Sequence, residues 1–134
     1  MSDEPVKTDG ARPELPPALI DVVRAAQDKQ ASDVVVLDLR GAGAFTDFFV
    51  ICSGRHTRQV KAIADAVEAA IAARGTRPRV EGYGRALWVL LDGFDVVVHV
   101  FTPETRAFYD LERLWGSATR VEIAEVEDAR SEAG

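Results

Sequence analysis

The chain has 134 residues, 47% of them hydrophobic and 28% charged, and a formal net charge of −6. This suits one soluble domain with its own core, and no apolar run is long enough to cross a bilayer, so no membrane contact is expected. Nucleic acid is a poor partner for an acidic chain, because non-specific binding rests on clustered Lys and Arg, and direct DNA binding is not expected.

The first residues, Met1-Ser2-Asp3-Glu4-Pro5, are acidic and lead into no apolar stretch, so no export signal is read and the cytoplasm is the expected location. Residues 1–16 hold four acids and two bases with few large apolar side chains, the composition of a disordered segment. A first helix is predicted from Pro16-Pro17 to about Gln30, with Leu19, Ile20, Val22, Val23 and Ala26 at helical spacing. Asp33–Leu39 reads as a strand covered on both faces, and Phe45–Cys52 as its antiparallel return across a short glycine-rich link. Cys52, the sole cysteine, lies in an apolar run and reads as a small buried hydrophobe.

After Ser53-Gly54 the spacing of Val60, Ile63, Ala64, Val67 and Ile71 predicts a helix from about His56 to Arg74, capped by Thr57 and stopped at Gly75. A third strand over Pro78–Tyr83 completes a crossover, expected to be parallel to the second strand and right-handed. The last helix begins at Thr102-Pro103-Glu104, carries an apolar stripe of Phe108, Leu111, Leu114 and Trp115, and ends at Gly116. Residues 119–134 hold five acids and two bases and read as a mobile acidic tail, with Val121-Glu122-Ile123 as an optional edge strand. The expected fold class is α/β, a mixed five-stranded sheet with flanking helices, and residues 17–118 form the domain.

The most informative stretch is 87–101, two apolar runs about an Asp-Gly-containing turn, the pattern of a β-hairpin. Alternation puts Leu87, Val89, Leu91, Val96, Val98 and Val100 on one purely aliphatic face. The other face carries Trp88, Leu90, Asp92, Asp95, Val97, His99 and Phe101. Such a mixture of aromatic rings, a histidine and carboxylates is read as a surface for a protein partner, since tryptophan is enriched at interface hot spots.

Other stretches carry residue types that could do chemistry. Ser53-Gly54-Arg55-His56-Thr57-Arg58 joins a strand to a helix N-terminus and could hold a phosphate, but it has neither the Walker pattern nor the Rossmann glycine spacing. A nucleotidyl- or phosphotransferase using this turn is the alternative from the enzyme class. Asp38, Asp47, Asp92 and Asp95 could suggest a two-metal site, but they fall on two different hairpins, with no Asp-x-Asp or Asp-x-Glu pair on one strand face. No metal or cofactor is expected. His99 has no nucleophile near it in sequence, so packing on Trp88 is preferred to a general-base role.

Seven blocks then match one family in order. They are Asp33-Val-Val-Val-Leu-Asp-Leu39, Thr46-Asp-Phe-Phe-Val-Ile-Cys-Ser-Gly54, Arg58-Gln-Val-Lys-Ala-Ile-Ala-Asp65, Glu81-Gly82, Trp88-Val-Leu-Leu-Asp92, Asp95-Val-Val-Val-His-Val-Phe101 and Arg106-Ala-Phe-Tyr-Asp-Leu-Glu-Arg-Leu-Trp115. Together they resemble the ribosomal silencing factor family (RsfS, also called Iojap) over residues 17–118. The resemblance implies a nucleotidyltransferase-like α/β fold without that activity. It implies binding to the large ribosomal subunit through ribosomal protein uL-fourteen, steric block of small-subunit joining when nutrients are short, and links to large-subunit maturation and homodimers. The expectation is a non-enzymatic repressor whose partner-binding residues are Glu81, Trp88, Leu90, Asp92, Asp95, Val97, His99 and Phe101.

Overall fold

The computed structural model describes residues 15–133. Its strands are β1 Ser32–Asp38, β2 Phe48–Ser53, β3 Arg79–Glu81, β4 Trp88–Asp92, β5 Val96–Phe101 and β6 Thr119–Val121. Its helices are α1 Pro17–Asp28, α2 Thr57–Ala72, α3 Pro103–Tyr109, α4 Leu111–Leu114 and α5 Ile123–Ala133. The strands form one mixed sheet in the order β3-β4-β5-β2-β1-β6. β2 and β5 pair in parallel at its centre, and every residue of both is buried, as suits strands that are apolar at all positions but Ser53 and His99.

Two cores lie on opposite faces of the sheet. On one, α1 and α2 place Leu19, Val22, Val23, Val60, Ile63 and Val67 against Val89, Leu91, Val98 and Val100. On the other, a smaller cluster of Leu37, Leu39, Phe49, Ile51, Val97 and Phe101 is covered in part by Leu111 and Trp115. The hairpin alternation is as read from the sequence: Trp88 pairs with Phe101, Leu90 with His99 and Asp92 with Val97.

Several expectations change. The sheet has six strands, because β6 pairs antiparallel with β1. Residues 119–133, expected as a tail outside the domain, supply β6 and α5; Val121 and Val126 are buried in the main core, and the Gln27 side chain donates to Glu127 at 3.3 Å. The expected disorder of residues 1–16 falls mostly outside the described residues, and Leu15 packs against the core. β3 shares the sheet with β2 but lies at its edge. It is three residues long with Arg79 and Glu81 exposed, which suits a sheet edge, while the apolar β5 takes the protected place beside β2. Since β3–β4 and β4–β5 are both antiparallel and β5–β2 is parallel, β3 still runs in the direction of β2.

A further change concerns the last helix. It breaks at Asp110, whose φ of 48° is left-handed, into α3 and α4. The expected stripe is therefore split: Leu111 and Trp115 turn to the sheet, while Phe108 and Leu114 are 78% and 73% exposed. At the start of α2, the cap is His56, whose Nδ1 accepts from the Gln59 N–H at 3.2 Å, in place of Thr57.

Candidate partner-binding face

Trp88 opens β4 and is half-buried at the border of the smaller core. Its indole stacks on Phe101 with centroids 5.0 Å apart and leans on Tyr109 of α3 at 4.7 Å. The indole N–H donates to Nδ1 of His99 at 3.1 Å. His99 in turn meets Phe49 edge-on at 4.6 Å, and Phe49 meets Trp115 edge-on at 5.7 Å. A continuous set of rings thus runs from the buried side of the sheet to Trp88 and Tyr109 at its margin. Burial among these rings pushes the His99 imidazole down to about 4, well below its ordinary value.

The eight expected contact residues divide. Val97, His99 and Phe101 are 2%, 3% and 0% exposed, so their expected place on an open surface is corrected. The reason is topological: β5 is an internal strand between β4 and β2, and the α4 segment closes over the same face. Trp88, Leu90 and Asp92 are half-buried, whereas Glu81 and Asp95 are exposed. Glu81 lies opposite Leu90 in the β3–β4 pair and Arg79 opposite Asp92. The open part of the face is therefore its β3–β4 side, with Glu81, Leu90 and Asp92 on it and Trp88 at one corner. Asp92 also accepts from the Phe94 N–H at 2.9 Å, which shapes the hairpin turn.

The α3–α4 elbow beside Trp88 was missed by sequence reasoning. Arg106 donates to Glu112 at 2.8 Å and to the Ser53 hydroxyl at 2.9 Å, tying both short helices to the end of β2. This contact holds the Glu112 carboxyl below the usual carboxylate range. The break could have been suspected: Tyr109-Asp110-Leu111 places an αL-tolerant Asp in the middle of the stretch. Phe108 meets the Tyr109 ring at 5.0 Å, so exposed aromatic surface continues from Tyr109.

In the Ser53–Arg58 turn the Arg55 N–H is taken by the Gln59 side chain at 2.6 Å and the Gln59 N–H by His56. A Cβ on Gly54 would stand 2.9 Å from the Val60 nitrogen, so the turn is closed down upon α2. Of the four aspartates, Asp38 is paired with Arg40 at 2.8 Å. Among the described residues no three His, Cys, Asp or Glu side chains converge as a metal site would need, and no helix is long and apolar enough to cross a membrane. Cys52 is wholly buried, its thiol pushed up to about 12 by burial.

The fold is thus a mixed α/β domain whose one partly open sheet face is edged by Trp88 and Tyr109. The family model described as ribosomal silencing factor during starvation matches residues 12–134, and the chain belongs to that family. It is 47% identical over 102 residues to the ribosomal silencing factor RsfS of Halalkalibacterium halodurans, covering 75% of this chain and 87% of that one. It is 31% identical to a mouse protein named for mitochondrial assembly of the ribosomal large subunit, covering 70% of this chain and 43% of that one. A crystal structure from Chromobacterium violaceum matches with a TM-score of 0.73 at 33% identity, covering 78% of this chain and 88% of that one.

Proposed function

We propose that this protein is a translational repressor of the cytoplasm that binds the large ribosomal subunit through ribosomal protein uL-fourteen and blocks small-subunit joining under nutrient limitation. Family membership supports the ribosomal part of this reading, and the name of the mouse relative supports the large subunit. The observation that carries the choice of face is the half-open Trp88, backed by Phe101 and His99 and flanked by Tyr109. A large ring with an apolar backing and an acidic surround matches a basic protein surface with an apolar centre.

In this proposal Trp88, Leu90 and Tyr109 supply the apolar contact, and Glu81, Asp92 and Asp95 meet basic groups of uL-fourteen. Val97, His99 and Phe101 lie behind the contact. Trp88 and Asp92 are four residues apart on one strand, or about 13 Å, well within an interface of standard size. Repression follows from occlusion, so no catalytic residue is called for.

Co-sedimentation with purified ribosomal subunits tests the reading. The protein should travel with the large subunit alone and prevent joining. Trp88→Ala should stay folded and bind isolated uL-fourteen about 30-fold more weakly, the effect of losing about 2 kcal/mol at a hot spot. Unchanged binding by that variant removes the face from the proposal.

A further inference from the structure

His99 is an odd choice for its place. It sits 97% buried on an internal strand among Phe49, Val97 and Phe101. Its Nε2 is buried and has no hydrogen-bond partner among the described residues. Because Nδ1 accepts the indole proton, a neutral ring must carry its own proton on Nε2, where the N–H goes unpaired. A leucine or phenylalanine would fill the same volume without that penalty. Packing therefore does not account for a histidine here. What histidine alone adds is an acceptor, buried below Trp88 and 3.1 Å from its indole nitrogen.

We infer that His99 is a positioning residue for partner binding: its Nδ1, by accepting the Trp88 indole proton, holds Trp88 in the one orientation that presents apolar ring surface to the partner. The ring's only donor is then used inward, and Phe101 and Tyr109 clamp its sides. Without the acceptor, the indole N–H must be left dry or rotate toward water, and either disturbs the surface on offer. This inference rests on the proposal that Trp88 is a contact residue.

The experiment uses the full chain, purified large ribosomal subunits and three substitutions. His99→Leu removes the acceptor and keeps the bulk. His99→Asn restores an acceptor near the Nδ1 position. Trp88→Ala removes the group being held. His99→Leu should be as resistant to heat as the parent or more so, yet bind about tenfold more weakly, one hydrogen bond's worth. His99→Asn should recover part of the binding. In the parent, the nitrogen NMR signature should give Nδ1 bare and Nε2 protonated, and the Trp88 indole proton should exchange slowly; His99→Leu should lose that slow exchange.

The decisive comparison is the double variant Trp88→Ala/His99→Leu, which should bind no worse than Trp88→Ala alone. If His99→Leu binds as the parent does while Trp88→Ala is weakened, the inference falls and the contact face stands. If His99→Leu weakens binding equally with or without Trp88, His99 acts by another route and the inference is likewise overturned. If Trp88→Ala itself binds normally, the contact face fails first.

Discussion

Gly82 lies against the backbone of Trp88: a β-carbon built on Gly82 would fall closer than 3.0 Å to the Trp88 carbonyl oxygen, at a φ of +82°. The β3–β4 turn thus closes only over a residue without a side chain. Gly82→Ala should destabilise the domain by more than about 2 kcal/mol, combining left-handed strain with a clash against backbone that cannot move aside. Urea unfolding measures this, and a stability equal to the parent's would refute it.

Arg106 ties α3, α4 and the end of β2 together through Glu112 and Ser53. Both partners of the ion pair are largely shielded from water, so it is not an ordinary surface pair. Arg106→Ala should lower stability by about 2 kcal/mol. Hydrogen exchange should rise first in 103–114, ahead of the central strands. Uniform loosening of the whole domain would contradict this account.

Acid stability should report on His99. Its folded value of about 4 lies below an ordinary imidazole's 6.5, so the unfolded chain takes up the proton first as pH falls. Stability is complete above about 6.5 and declines towards 4, losing about 2 kcal/mol between pH 7 and pH 5. Asp38 and Glu112, held low by their arginines, yield only in more acidic solution. Denaturant titrations at pH 7 and pH 5 should reveal the loss in the parent and a flat response in His99→Leu. An equal slope in both would assign the effect elsewhere.

Cys52 should be chemically silent until the domain opens. It is buried in β2 and its thiol is pushed up to about 12. Since the thiolate is the reactive form, a thiol reagent at pH 8 should label the native protein no faster than it unfolds, and label it at once in denaturant. Prompt labelling under native conditions would count against the burial described.

Much of this architecture could be read directly from residue order. The alternation across 87–101 set the two faces of the hairpin, because a strand's period of two leaves no freedom. What alternation lacks is any statement of what covers each face. His99 and Phe101 looked like surface because they share a face with acids; they are interior because β5 is central and α4 folds back over it. The reversal at Asp110 depends on one backbone angle and on a pairing between Arg106 and Glu112. Residues six apart do not face one another on an unbroken helix, so that pair was itself a trace of the bend. The edge strand β6 was legible only as an option over Val121–Ile123, and it forms two residues earlier, over Thr119–Val121, since so short a strand in an acidic stretch carries little pattern of its own.

The parallel pairing of β2 with β5 also governs how the chain must be made. Phe48 finds its partner only when Val96 has been synthesised, and until then a segment apolar at five of its six positions waits with one flank bare. Polypeptides released before that point would carry a sticky, unpaired ribbon, prone to clump with others like it. Translation errors or cleavage in the stretch between β2 and β5 should therefore yield insoluble fragments, not smaller working domains.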